Sequence, residues 1–168
     1  MPGFVSISAR RSMYDQASSE TMVLLARITH PALTAPILLS SDPTKRISLD
    51  PLVYGTHHKG DLYRFVWMGT ILPDDRADDA PSATLVFTNV GSDIAHHLRA
   101  VSSPAALDLT IVLASTPDWV EREYLGMRTV KVSYDGSEIS LEVARDAFAT
   151  LALPFHRMTA DRFPGLFP

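Results

Sequence analysis

The sequence contains no cysteine. This absence excludes disulfide bonds, thiolate-bound zinc, iron–sulfur clusters and cysteine nucleophiles, because each of them needs the sulfur of that side chain. Stability must therefore come from an apolar core, and in an assembly from neighbouring chains as well.

Glycine-rich phosphate loops and long hydrophobic runs are missing too. The 8 glycines are scattered, and neither GxGxxG nor GxxxxGK[ST] occurs. No uninterrupted apolar run approaches the roughly 20 residues that cross a membrane, so we expect no membrane insertion. At the amino terminus, arginines follow a short apolar stretch, which is the reverse of a secretory signal.

Basic residues are in the minority. Lys and Arg number 15 against 19 Asp and Glu, for a net charge of −4. The pairs Arg10–Arg11 and Lys45–Arg46 are isolated, and no predicted strand or helix carries a basic stripe. Nucleic-acid binding depends on such a stripe, so we expect no specific nucleic-acid binding.

The apolar residues that are present suffice for one folded unit. Hydrophobic residues make up 46% of 168 positions, which is typical of an ordered domain with a buried core. We predict a single domain over residues 1–168, with an extended apolar tail from about residue 146 to the end.

Hydrophobic spacing predicts about eight strands and two helices. The first helix lies within 6–20, with Ser6 or Ser8 as its cap, and the second lies within 91–103 behind Ser92. Apolar residues on both faces of 106–115 indicate a central strand. The predicted strands cover approximately residues 22–28, 37–40, 47–49, 61–72, 83–90, 106–115, 127–134 and 137–145.

Turn residues mark the connections. Asp135–Gly136 predicts a tight hairpin, because this dipeptide supplies the positive φ angles that such a turn needs. Pro117 and Asp118 are interpreted as a turn after a strand. The whole pattern favours an α+β fold of mainly antiparallel strands, a barrel or sandwich with one or two flanking helices.

The segment from Asp42 to Asp61 is rich in proline, glycine and aspartate. We interpret it as a long surface excursion with at most a short strand around residues 47–49. Such loops often make contacts, so its candidate interface residues are Val53, Tyr54, His57 and His58. A second candidate interface is the apolar tail, whose prolines prevent regular pairing and whose candidate residues are Phe163, Pro164, Leu166 and Phe167.

Four aspartates crowd one connection, namely Asp74, Asp75, Asp78 and Asp79. A calcium loop needs alternating oxygen ligands, a glycine and a distal glutamate, none of which this segment provides. Adjacent carboxylates in an extended chain also point in opposite directions. We prefer a solvated connection whose charge keeps other chains off an edge strand, with a metal site as the alternative.

The histidine pairs His57–His58 and His96–His97 do not match a zinc motif. Helical zinc sites place two histidines one turn apart, whereas adjacent helical residues diverge by about 100°. We therefore interpret both pairs as exposed and non-ligating. Ser115 and Thr116 beside Asp118 lack the glycine-flanked elbow of a serine nucleophile. The sequence thus predicts no catalytic residue, no metal site and no cofactor.

Several short motifs follow one another along the sequence in a recognisable order. They are ITHP, LPDD, TLVFTNV, a helix containing LR, LASTPDWVE, a hairpin and a closing FPGLF. Together they resemble the tail-tip minor tail proteins of long-tailed bacteriophages, a family similar to the amino-terminal module of the lambda-type minor tail protein L. The resemblance runs from about Tyr14 to Phe167, and its most specific parts are residues 85–90 and 163–167.

The resemblance implies a structural, non-enzymatic virion protein at the distal end of the tail, made in the host bacterial cytoplasm. It implies a tail-tube- or hub-like β-fold and a ring of identical copies, expected to be a trimer with a hexamer as the alternative. The implied neighbours are the tail tube or distal tail ring, the hub and the tape measure protein. The lambda-type protein also carries an iron–sulfur domain, which cannot be expected here without cysteine.

Within such a ring, the four aspartates would line the lumen, where negative charge repels DNA phosphates. The alternative function is a small metal-dependent hydrolase or a metal-stabilised binding module that uses the aspartates and a histidine pair. Titration with calcium or zinc separates the two hypotheses, because only the second predicts a rise in melting temperature.

Overall fold

The computed structural model describes residues 5–72, 82–88, 103–135 and 138–144. Strands take up 65% of these residues, and one helix accompanies them, which agrees with the predicted α+β class. The helix is α1 (Ile7–Tyr14), and the strands are β1 (Met22–Thr29), β2 (Ile37–Ser40), β3 (Arg46–Leu49), β4 (Leu52–His58), β5 (Asp61–Phe65), β6 (Trp67–Ile71), β7 (Ser82–Thr88), β8 (Ala106–Leu113), β9 (Thr116–Asp135) and β10 (Glu138–Ala144).

The amino-terminal helix begins where the sequence predicts. Ser6 is the N-cap of α1, and its hydroxyl oxygen accepts a hydrogen bond from the Ala9 N–H at 3.1 Å. Ala9 is buried, whereas Ile7 and Tyr14 are exposed. The helix therefore packs through a small residue and leaves its larger apolar side chains in solvent.

All ten strands belong to one mixed sheet. Its order is β3-β4-β5-β2-β1-β8-β9-β10-β7-β6. The β2–β5 pairing is parallel, and the other ladders are antiparallel, as the sequence predicts. The prediction that the strand at 106–115 is central is confirmed, because β8 lies between β1 and β9.

A single residue separates two strands that lie far apart in the sheet. β5 is third and β6 tenth in the order, with only Val66 between them. Neighbouring strands are about 4.8 Å apart, so these seven steps would span roughly 34 Å in a flat sheet. The sheet must therefore curl until its β6 edge approaches β5, although hydrogen bonds do not close it.

The concave side of the curled sheet holds the main core. Its buried side chains include Leu24, Ile28, Leu85, Phe87 and Leu107, and they come from six strands together with Val66 and Ala105. Burial of each large side chain stabilises the fold by about 1.5–3 kcal/mol. A smaller cluster of Val23, Leu25, Tyr63 and Val112 lies on the opposite face, so β1 is buried on both sides.

Two predicted connections are wrong. The segment 42–61 is not a polar excursion, because it contains the seven-residue strand β4 in addition to β3. Pro117 and Asp118 are not turn residues either: the turn lies at Ala114–Ser115, and β9 already begins at Thr116. A further difference is the division of the predicted strand 61–72 into β5 and β6.

Two hairpins follow familiar turn chemistry. β4 and β5 pair up to His58 and Asp61, so Lys59–Gly60 is a two-residue loop with φ angles of 51° and 92°. Two positive φ values are characteristic of the tight turns that match the twist of antiparallel strands. The predicted hairpin around Asp135 is confirmed by the pairing of β9 with β10 from Asp135 and Glu138 onwards.

Three predictions concern residues outside the described ranges. The first is the second predicted helix at 91–103, of which only Ser103 is described. The others are the four aspartates of the acidic segment and the apolar tail from about residue 146. The strands that flank the acidic segment, β6 and β7, pair with each other in antiparallel register.

Candidate functional site

The predicted interface residues of segment 42–61 lie on β4. Val53 and Tyr54 are half-buried, and His57 is exposed. His58 is buried, so its predicted exposure is wrong. The alternation of strand side chains between two faces explains why adjacent histidines have opposite environments.

His58 joins β4 to the start of β9. Its Nδ1 lies 2.6 Å from the Pro117 carbonyl oxygen, and its ring packs edge-on against Tyr63 at 5.9 Å between centroids. Beside it, the Lys59 N–H donates to the Asp118 carboxylate at 2.6 Å. These contacts fix one strand against another, and they leave the His58 ring unavailable to a partner.

Tyr63 shares this buried environment. Burial raises the pKa of the Tyr63 hydroxyl, and the carboxylates of Asp61 and Asp108 act in the same direction, while the Arg27 guanidinium opposes them. A neutral phenol is therefore the favoured form on this face of the sheet.

A small cluster of hydrogen-bonded polar side chains connects β2 to β4. The hydroxyls of Ser40 and Thr56, both buried, are 2.9 Å apart. The Ser40 hydroxyl also accepts from the Asp42 N–H at 3.1 Å, and the Asp42 carboxylate accepts from the Thr44 N–H at 2.8 Å. The polar groups of the cluster therefore form hydrogen bonds with one another, and these bonds fix the chain where it leaves β2.

Apolar side chains are exposed at both ends of the sheet. On β6, Trp67 and Ile71 are 64% and 72% exposed, and at the other end Leu49 of β3 and Leu52 of β4 are 72% and 61% exposed. Each end strand pairs on one side only among the described residues. An unpaired strand edge offers backbone N–H and C=O groups to another strand, and neither edge strand contains proline.

A serine–histidine pair was missed by sequence reasoning. The His30 Nε2 and the Ser103 hydroxyl oxygen are 2.6 Å apart although 73 positions separate them in sequence. The His30 Nδ1 accepts from the Ala32 N–H at 3.0 Å, so in the neutral ring the proton is on Nε2. The ring therefore donates to Ser103 and cannot take its proton, which a catalytic base must do.

No group of three or more metal-ligating side chains occurs in the part of the chain that the structure describes. Within the same ranges, no helix is long and apolar enough to cross a membrane. The described residues present exposed apolar side chains and hydrogen-bonded polar clusters. A scan against protein-family models gave no match, and a search of curated proteins gave none either.

Proposed function

We propose that the chain is a structural protein of the tail tip of long-tailed bacteriophages, in which copies form a ring that joins the tail tube to the hub and fibre. The observation that carries this proposal is the sheet whose two end strands, β3 and β6, each pair on one side only among the described residues, with exposed apolar side chains at both ends. A sheet of this kind can be continued by another copy at either edge.

The curvature of the sheet supports the same function. β5 continues into β6 through Val66 alone, and the strands from β2 to β6 in the sheet order pack around one core together with Val66. We infer that this is a tail-tube-like barrel with a flanking helix, which is the fold that the resemblance implies. Two of the resembling motifs lie on described strands: TLVFT belongs to β7, and LASTPDWVE spans the turn from β8 into β9.

The acidic segment has a consistent place in this proposal. Asp74, Asp75, Asp78 and Asp79 lie in sequence between the edge strand β6 and its neighbour β7. Their negative charge would repel DNA phosphates from the lumen of a ring. The tail residues Phe163, Pro164, Leu166 and Phe167 are the proposed contacts to neighbouring tail proteins.

Electron microscopy of phage particles tests the proposal. Gold-labelled antibodies against the chain should mark the distal end of the tail, and a side-chain-resolution reconstruction should show a ring of identical copies around the tail axis. Particles incubated with pre-immune antibodies provide the control. Absence of the chain from purified particles, or labelling of the capsid alone, would refute the function.

A further inference from the structure

Beyond its proposed structural role, the chain has an unassigned cleft where three strands end. Thr29 of β1 pairs with Ala106 of β8, and Ala106 pairs with Arg128 of β9. Residues directly opposite one another in a sheet project from the same face. The small Ala106 side chain therefore leaves a gap between Thr29 and Arg128, whose backbones lie about 10 Å apart at two strand spacings.

The cleft has the size of a small-molecule site. Its volume is about 530 Å³, within the roughly 300–1,000 Å³ typical of ligand pockets. Pro31 and Pro104 form part of its wall, and prolines contribute no N–H group. The polar side chains of the cleft are those of His30, Ser103, Thr29 and Arg128.

These side chains present donors to the cleft. Since the His30 Nε2–H donates to the Ser103 oxygen, the Ser103 O–H remains available to donate to a ligand. Arg128 adds a permanent positive charge and makes no ion pair with any described residue. Asp108, two positions from Ala106 on β8, does not line the cleft, and its Oδ1 accepts from the Gly126 N–H at 2.8 Å.

We propose that this cleft binds an oxyanion, the carboxylate or phosphate group of a small molecule, between the Arg128 guanidinium and the Ser103 hydroxyl. His30 is a positioning residue, because it holds the serine oxygen and directs its proton away from the imidazole. Guanidinium groups bind carboxylate and phosphate through paired hydrogen bonds, which suits an exposed arginine that lines the same cleft as a hydroxyl donor.

Thermal unfolding in different salts tests the site. Phosphate or acetate at tens of millimolar should raise the melting temperature of the wild type by about 2–4 °C above its value in chloride of equal ionic strength. The anion with the larger effect identifies the preferred class. Arg128→Gln should lose the part of the increase that is due to binding, and it should weaken binding about tenfold or more, since a charged hydrogen bond is lost. Ser103→Ala should weaken binding several-fold.

Arg46→Gln is the matched control, because Arg46 is an exposed arginine on the edge strand β3. This variant should keep the full increase. Phosphate also stabilises proteins without binding to them, so an equal increase in the wild type and in Arg128→Gln would overturn the proposal. So would the absence of any increase, or NMR amide shifts spread over the surface and not concentrated at Ala32, Ser103, Ala106 and Arg128.

Discussion

At the scale of single residues, the carboxylate of Glu121 is a buried polar group that joins two distant segments. Glu121 is 5% exposed, and its Oε2 accepts from the Ser6 N–H at 2.7 Å. Its Oε1 is also buried and receives no hydrogen bond from a described residue. A negative charge at a helix N-terminus is stabilising, so this group fixes α1 to β9 across 115 positions of sequence.

We expect Glu121→Gln to loosen α1. The amide keeps an acceptor oxygen but loses the charge and adds an NH₂ group without a partner, which should lower the free energy of unfolding by about 1–2 kcal/mol. Hydrogen exchange should show faster exchange of the α1 amides. Glu123→Gln, an exposed residue two positions along β9, should leave both quantities unchanged. Unaltered protection of α1 in Glu121→Gln would contradict the anchoring role.

These residue roles differ in how far the sequence predicts them. The Ser6 cap is predicted because capping depends on neighbours within three positions. The environments of Glu121, His58 and Ser103 are not, because each is set by a contact with a residue that lies far away in the sequence. Periodicity indicates which face a residue occupies, but it does not identify the residue opposite.

At the scale of elements, the close approach of β4 and β5 depends on one glycine. A Cβ atom at Gly55 would collide with the Tyr63 carbonyl oxygen, a backbone atom held in the sheet. At Gly69 on β6, a Cβ atom would meet nothing within 4 Å. Gly55 therefore has no room for a side chain, whereas Gly69 has room for one.

We predict opposite effects of the same substitution at these positions. Gly55→Ala should lower the free energy of unfolding by about 3 kcal/mol, because the backbone must move to admit the methyl group. Gly69→Ala should raise it by about 0.5 kcal/mol, because alanine loses less conformational entropy on folding. Urea unfolding of both variants and the wild type measures this difference. Equal stability of the two variants would rule out the steric constraint at Gly55.

The sequence predicts which segments form strands better than it predicts where each strand begins and ends. The predictions of β1, β2, β7 and β8 are confirmed. Each of these strands contains a run of apolar residues that the sequence makes visible. The separation of β5 from β6 has no local sign, since Val66 is as apolar as its neighbours. It follows from the different partners that the two halves find in the sheet.

At the scale of the whole molecule, the two sheet edges decide how copies can associate. Pairing β6 of one copy with β3 of the next continues the sheet from head to tail, which closes into a ring when the rotation permits. Pairing β6 with β6 would instead give a two-fold dimer that leaves β3 free. The proposed ring requires the head-to-tail arrangement.

Charged substitutions at the edges should block this association. Lysine on an edge strand disfavours pairing, so Ile71→Lys and Leu49→Lys should each convert concentration-dependent oligomers of the wild type into monomers. Met13→Lys, which alters an exposed apolar residue of α1, should assemble like the wild type. Analytical ultracentrifugation over a wide concentration range provides the measurement.

A mixture of the two edge variants distinguishes the two arrangements. Ile71→Lys retains an intact β3 and Leu49→Lys an intact β6, so head-to-tail pairing predicts that the mixture forms a heterodimer and stops there. Two-fold pairing through β6 predicts that Leu49→Lys alone dimerises and that mixing adds nothing. A wild type that stays monomeric at millimolar concentration would show that the free edges do not hold copies together, because a pairing of this strength could not sustain a ring.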